Sequence, residues 1–206
     1  GLVYDAKNLA FILPAGKYIG NSRYKDVFAA SAMADLTSFR NHWGAETSLD
    51  VELYRPVARY ELVAKDVATF LNKLSTGGLK GESFTARVKY SDYLPTGYNL
   101  WDDVPKNSLM YMEYKVAFER PADGTKELKL GFDYVLTDAG ETVSIPVELE
   151  ILNEKNEVLA RTAFRIPCER GKNTTVRGNF LTSDANGGIG IDPDYDGDLE
   201  VDLGEL

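Results

Sequence analysis

The 206 residues are 44 % hydrophobic, which is enough to bury a core and excludes a wholly disordered chain. A formal net charge of −9, from 23 basic and 32 acidic residues, disfavours nucleic acid and an anionic membrane surface as partners. The single cysteine, Cys168, excludes an intramolecular disulfide, and because its neighbours include no cation that would activate a thiolate, we expect a buried or half-buried, inert thiol.

The first 48 residues show little regular pattern. One strand is predicted at 9–13, whereas residues 20–46 have no clean period. We therefore place a boundary near residue 48, with 1–48 as the end of a truncated N-terminal domain or a connector and 49–206 as a C-terminal β-sandwich domain. No stretch resembles a membrane-spanning helix or an export signal, so any signal peptide or lipid anchor is expected upstream.

A strand and a short helix are predicted next. The strand covers 51–64, and its apolar parity changes near Pro56, which indicates a bulge or a switch between sheets. Asp66 then fits the N-cap of one helix, which residues 77–78, both glycine, would end. Its apolar face carries Val67, Phe70, Leu71 and Leu74.

Five later segments alternate between apolar and polar residues, a pattern typical of strands that bury one face. They are 83–90, 110–118, 128–136, 143–151 and 158–166. Within the third segment, one face is predicted to carry Leu128, Leu130, Phe132, Tyr134 and Leu136.

Short turn sequences separate these segments, at 120–124, 137–140 and 153–156. Such turns favour hairpins between consecutive strands, and consecutive hairpins build a meander. The predicted fold class is mostly β, an antiparallel β-sandwich of Greek-key or transthyretin-like type with one short helix.

Residue types that carry catalysis are sparse. His42 is the only histidine, which excludes the common zinc sites, and no nucleophile motif supports a Ser-His-Asp arrangement. We assign no catalytic, cofactor-binding or metal-binding residue, and we expect a protein that is not an enzyme and needs no cofactor.

An acidic and aromatic cluster admits a binding interpretation. Asp102 and Asp103 follow Trp101, but adjacent strand residues point in opposite directions and do not form the carboxylate pair of a glycosidase. The rings of Tyr98 and Trp101 could stack on a sugar. A loop whose aromatic rings pack against the end of the sandwich is the favoured interpretation.

A second acidic cluster resembles the start of a calcium loop. Asp192, Asp194, Asp196 and Gly197 have the required spacing, but the twelfth position is Leu203, where a bidentate Glu is needed. An acidic turn is therefore favoured, and whether this turn binds calcium is left open.

Four stretches between residues 50 and 200 match the motifs of one known family in order and spacing. Three of them are 55–66, 95–105 and 191–197. The fourth comprises Pro167, Arg170, Thr174, Val176, Gly178, Leu181 and Thr182. Together they resemble the fimbrillin-like proteins of Bacteroidales, cell-surface proteins related to type V pili, although Cys168 departs from the residue expected at its position.

The resemblance implies a lipoprotein exported to the cell surface or outer membrane, where it would be a structural or adhesive subunit of a fimbria. Its partners would be other pilus subunits or surface proteins, with a host glycan or protein as a further option, and assembly would proceed by β-strand addition. Residues 198–203 alternate between acidic and apolar, and this strand is expected to complete its own sandwich. The alternative function is a carbohydrate-binding surface domain that uses Tyr98 and Trp101.

Overall fold

The computed structural model describes the backbone of Val3–Asp5, Ala10–Ile12 and Glu200–Asp202, and residues 18–183 in full. Over these residues the chain forms twelve strands, one α-helix and two short 3-10 turns at Arg23–Lys25 and Thr37–Phe39. The strands are β1 (Val3–Asp5), β2 (Ala10–Ile12), β3 (Val57–Ala64), β4 (Ser83–Tyr90), β5 (Leu94–Asn99), β6 (Val104–Leu109), β7 (Glu113–Glu119), β8 (Leu128–Leu136), β9 (Val143–Asn153), β10 (Val158–Cys168), β11 (Asn173–Gly178) and β12 (Glu200–Asp202). The helix α1 spans Val67–Ser75.

The strands form three four-stranded sheets. The front sheet has the order β10-β9-β4-β7, the back sheet β12-β11-β3-β8, and the cover sheet β1-β2-β5-β6. Neighbouring strands are antiparallel except for β11 and β3, which run parallel. The front and back sheets enclose the main core, into which α1 packs Phe70 and Leu71. The predicted fold class, a mostly β, largely antiparallel sandwich with one short helix, is confirmed.

The cover sheet packs on the outer face of the back sheet. Tyr98 of β5 lies in a second buried cluster with Val57 of β3 and with Tyr134 and Leu136 of β8. Across the predicted boundary near residue 48, β2 pairs with β5, and the division into two domains stays a prediction.

The predicted meander is wrong. β7 pairs with β4 rather than β8, and β8 pairs with β3 rather than β9, so the turns at 120–124 and 137–140 carry the chain from one sheet to the other. Only the turn at 153–156, between β9 and β10, closes a hairpin among the three. Short turns between amphipathic strands suit both arrangements, because either buries the same apolar face.

The predicted single apolar face of β8 is also wrong. The pairing of β8 with β3 shifts register between Leu62 and Val63, and this bulge reverses the orientation of the residues that follow. Leu130 lies in the main core and, after Gly131, so does Val135, with the fully buried Asp133 between them in sequence. The residues that alternate with them, Phe132, Tyr134 and Leu136, pack with the second cluster.

The predicted strand at 51–64 begins later than expected. Residues 51–53 are exposed and Tyr54 forms only an isolated bridge with Ala29, so β3 starts after Pro56. The helix follows as predicted, with Asp66 at its N-cap. The Asp66 carboxylate does not cap the helix, however, because it accepts hydrogen bonds from the Leu181 N–H at 3.0 Å and the Thr182 hydroxyl at 2.8 Å.

The predicted terminal strand pairs within its own sheet, because β12 runs antiparallel to β11. The candidate calcium loop at 192–197 lies outside the described residues. No helix in the described part of the chain has both the length and the apolarity needed to cross a membrane.

The outer face of the front sheet carries a buried carboxylate. Glu150 of β9 is fully buried, and its oxygens lie 2.7 Å from Arg161 Nη2, 2.9 Å from Lys89 Nζ and 2.7 Å from Arg87 Nε. Burial alone would raise the pKa of Glu150, but hydrogen bonds from Lys89, Arg87 and Arg161 outweigh it and lower the pKa to about 2. The three cations therefore fix β4, β9 and β10 to one another through a single side chain.

We expect Glu150→Gln to lower the free energy of unfolding at neutral pH by about 3 kcal/mol, since the native pKa lies well below the ordinary value of 4.5. The folded-state pKa is depressed, so this contribution is present above pH 4.5 and is lost as the pH falls to about 2. The difference between parent and variant should shrink over that range in urea unfolding measurements. Glu141→Gln, at an exposed position, is the control, and a difference that is independent of pH would contradict this account.

Candidate interaction surface

One side of the sandwich is bordered by two edge strands, β7 of the front sheet and β8 of the back sheet. In β7, even-numbered residues bond to β4, as the flanking hydrogen bonds show: the Tyr90 N–H donates to the Met112 carbonyl at 2.9 Å, and the Arg120 N–H to the Glu82 carbonyl at 2.8 Å. The odd-numbered residues therefore direct their N–H and C=O groups away from the sheet. They are Glu113, Lys115, Ala117 and Glu119.

These outward groups of β7 have no backbone partner among the described residues. The strand pairs with β4 over seven residues without a register shift, and it contains no proline. Unpaired N–H and C=O groups along a regular strand are a template for another strand. β7 is therefore an open edge.

The neighbouring edge, β8, is closed by side chains and by a preceding segment. The Asn21 N–H donates to the Phe132 carbonyl at 2.9 Å, and the Phe132 N–H donates back to Asn21 Oδ1 at 3.2 Å. The Tyr134 N–H donates to Asp133 Oδ1 at 2.8 Å. Asn21 thus occupies the place that a pairing strand would take.

Residues 18–25, which we call the strap, carry Asn21 to this position. The strap is fixed by Asp133, whose carboxylate accepts a hydrogen bond from the Tyr18 hydroxyl at 2.6 Å and lies 2.5 Å from Lys25 Nζ. Both charged groups are buried, and burial lowers the pKa of Lys25 while the Asp133 carboxylate acts in the opposite direction. Loss of one partner from an ion pair buried in this way strongly destabilises the folded protein, because the other charge stays buried without a partner.

Tyrosine hydroxyls complete the surroundings of Asp133. Tyr90 donates to its carboxylate at 2.6 Å, and the Tyr60 hydroxyl lies 2.7 Å from that of Tyr90 and 3.2 Å from that of Tyr114. Burial raises the pKa of each of these three phenols, so they stay neutral and serve as hydrogen-bond donors. This network links both sandwich sheets to the strap.

Two glycines permit the strap and β8 to approach β7 closely. A Cβ added to Gly20 would lie 2.3 Å from ring atoms of Tyr114. Gly131 has φ +152°, and a Cβ there would lie 3.1 Å from Val116 and 3.3 Å from the Tyr114 ring. The backbone of the strap therefore packs directly on the aromatic ring at the open edge.

A groove of about 560 Å³ lies between the strap and the first residues of β7. Its walls are formed by Tyr18, Ile19 and Gly20 on one side and by residues 111–115 on the other. A second depression of about 290 Å³ adjoins it and shares Tyr111 and Met112. Tyr111 is 85 % exposed, so an apolar ring borders the open edge without being buried by the chain itself.

The loop that the sequence suggested for sugar stacking offers one ring rather than two. Tyr98 is fully buried, whereas Trp101 is 73 % exposed. Asp103 accepts hydrogen bonds from Tyr98 at 2.6 Å and from Arg170 at 2.8 Å, and Tyr54 also donates to it. Burial alone would raise the pKa of Asp103, but these hydrogen bonds outweigh it and lower the pKa. The packing interpretation describes Tyr98 correctly but not Trp101.

The remaining candidate residues are separate from the open edge. His42 lies exposed in a loop, where its Nδ1 is 3.0 Å from the Ser38 carbonyl. Cys168 is fully buried, as expected, and burial followed by the Asp133 charge raises its pKa to about 12. Within residues 18–183, no group of three or more His, Cys, Asp or Glu side chains is arranged to hold a metal ion.

Comparison with known proteins gives a family. A model of the family of unknown function DUF6562 matches residues 1–204. The chain belongs to this family. No curated protein matches it.

Among solved structures, this DUF6562 chain is similar to a candidate cell adhesion protein from Bacteroides ovatus, with 12 % sequence identity and a TM-score of 0.35. The match covers 62 % of this chain and 41 % of that one, so the chain spans less than half of the other protein. A likeness this weak supports no conclusion about function, and the similarity to fimbrillin-like proteins stays a resemblance between sequences.

Sequence reasoning missed the residues that define the open side of this DUF6562 chain. Asp133 stands between Phe132 and Tyr134, and an acidic residue between two aromatic residues in a strand is the one signal that could have indicated a buried carboxylate. Nothing local marks Lys25 as its partner, because the two residues are far apart in sequence. Asn21 gives no signal either, since its role depends on where the strap lies.

We expect Lys25→Met to lower the free energy of unfolding by about 3–5 kcal/mol, because the Asp133 carboxylate would stay buried without its cation. The strap should also loosen, so the Phe132 amide bonded to Asn21 should lose protection in hydrogen exchange. Combining Lys25→Met with Asp133→Asn should recover at least half of the loss.

Lys126→Met, at an exposed position, is the matched control and should change stability by less than about 0.5 kcal/mol. If Lys25→Met and Lys126→Met melted alike in denaturant, the ion pair would not hold the strap.

Proposed function

We propose that this protein is a non-enzymatic structural or adhesive subunit of the bacterial cell surface that binds other proteins by strand pairing at the edge of β7. The observation that carries the proposal is the contrast between two adjacent edges, of which β8 is closed by Asn21 and Asp133 while β7 is open. A fimbria at the outer membrane, reached as an exported lipoprotein, is the setting that the sequence resemblance of residues 50–200 supports.

An open edge calls for an explanation because it favours uncontrolled association. Proteins usually block such edges with proline, bulges, inward charges or covering segments. This chain uses a covering segment on β8, at the cost of burying Lys25 and Asp133, and leaves β7 beside it without one. Selective protection of one edge fits a surface that is kept for a partner.

The groove beside β7 supplies what strand addition needs besides backbone groups. Main-chain hydrogen bonds give affinity, and pockets for alternate side chains give specificity. Residues 111–115 form one wall of the groove, and the strap forms the other, so a paired strand would place every second side chain between them. Binding of this kind requires no active site, so we propose that the protein is not an enzyme.

We expect Ala117→Pro to abolish assembly while leaving the fold intact. The Ala117 N–H points away from β4, so proline would remove a donor from the open edge without breaking a hydrogen bond of the front sheet. In cells that produce the full-length precursor, the fraction of the protein in high-molecular-mass surface assemblies should fall at least about tenfold.

Ala117→Ser keeps the N–H and is the matched control, which should assemble like the parent. Circular dichroism of both purified variants checks the fold. A folded Ala117→Pro variant that enters surface assemblies as the parent does would refute strand pairing at β7.

A carbohydrate-binding surface domain is the alternative function, and the exposure of Trp101 favours it. The ring is 73 % exposed on a loop held by Asn99, whose side chain accepts hydrogen bonds from the N–H groups of Trp101 at 3.0 Å and Asp102 at 3.3 Å. An exposed ring on a fixed loop is a suitable surface for one face of a sugar.

If this alternative holds, Trp101→Ala should abolish saturable binding in a glycan array, whereas Trp43→Ala, at a ring that is 96 % exposed, should leave binding unchanged. Absence of saturable binding by the parent would remove the alternative.

A further inference from the structure

We infer that the partner of the open edge is β7 of a second copy, paired antiparallel with Ala117 on a twofold axis. The inference rests on the proposed function and adds to it a partner and a register. The resulting interface is isologous, so each copy contributes the same surface, and the two front sheets become one continuous eight-stranded sheet.

The register follows from the side chains that border the open edge. Residues whose backbone groups point outward must face each other in pairs, and in β7 these are the odd-numbered residues. With Ala117 opposite the partner's Ala117, Lys115 faces the partner's Glu119, and the reverse pair forms on the other side of the axis. Two cross-strand pairs of opposite charge result, each of them favourable.

Other registers are less favourable. Placing Lys115 on the axis sets two lysines opposite each other, and placing Val116 there sets Glu113 opposite the partner's Glu119. An axis at Tyr114 pairs Glu113 with the partner's Lys115, but then only residues 113–115 of the strand overlap. The register centred on Ala117 overlaps residues 115–119 and repels nowhere within them.

The inner face of the paired strands agrees with this register. Val116 would face the partner's Phe118, and both side chains are only partly buried against the main core of a single copy. Pairing would cover their remaining exposed surface with apolar partners, which is favourable. On the outer face, Lys115 Nζ lies 3.7 Å from Glu113 Oε1, and both side chains are about half exposed. An exposed ion pair of this kind is weak, so it does not prevent Lys115 from pairing with a new partner.

Charge argues against the terminal strand of a second copy as the occupant. In the sequence of residues 198–202 every second residue is acidic, so a strand formed by this segment would bring several carboxylates towards Glu113 and Glu119 of β7. Glu200–Asp202 also pairs already with β11. β7 of a second copy, with charges of alternating sign, matches the open edge better.

The test is a charge swap followed by analytical ultracentrifugation of the full chain over a concentration series. Lys115→Glu and Glu119→Lys should each raise the dimer Kd at least about tenfold, because each single change places like charges opposite each other at both pairs. The double variant K115E/E119K restores opposite charges and should return the Kd to within about threefold of the parent. Raising the salt concentration should weaken the parent dimer, since exposed pairs are screened.

Lys126→Glu and Glu141→Lys are the matched controls, because they make the same charge changes at exposed positions outside the strands and should not alter the Kd. A parent that stays monomeric at all concentrations would overturn the inference, and so would single variants that dimerise like the parent or a double variant that is not restored. The Ala117→Pro experiment in cells tests strand pairing at β7 with any partner, and its outcome does not depend on these results. Failure of the self-pairing inference and failure of strand pairing as the function are therefore distinguishable.

Discussion

The open side of this protein depends on one buried carboxylate. Asp133 lies in the main core because a bulge in β8 turns it inward, and a charge in that position must be paired with a cation. Lys25 supplies the cation at Oδ1, and Tyr18 and Tyr90 both donate hydrogen bonds to the other oxygen, Oδ2. A segment that precedes β3 in the chain is thereby tied to the space between the sheets.

The same carboxylate determines which edge is closed. Binding Lys25 places Asn21, four residues earlier, against the backbone of Phe132, and Asp133 itself accepts the Tyr134 N–H. The strap thus runs along β8 and leaves β7 bordered by a groove. One interaction therefore accounts for both the protection of one strand and the exposure of the other, without any feature of β7 itself.

The sequence predicts the parts of this fold that depend on local pattern. β4 and β8 have the expected bounds, and α1 begins after Asp66, because alternation and helix signals are properties of neighbouring residues. Prediction from the sequence fails where the structure depends on residues that are far apart in the chain. The register shift opposite Leu62 reverses the faces of β8. Neither this shift nor the passage of the chain from one sheet to the other leaves a local signal in the sequence. Tyr98 and Trp101 show the same limit, since two aromatic residues three positions apart look alike in the sequence and yet are opposite in exposure.

Strand pairing is largely indifferent to sequence, because every residue except proline offers the same backbone N–H and C=O groups, so an open edge needs some other source of selectivity. In β7 that source is the charge pattern on the outward residues, Glu113, Lys115 and Glu119. Charges of one sign would repel any second copy, and a fully apolar row would accept any strand. Alternating signs disfavour most registers and partners, and among the registers that avoid repulsion they favour the one centred on Ala117, with its two pairs of opposite charge. The edge is therefore protected against indiscriminate aggregation by the same side chains that make pairing with a matching strand favourable.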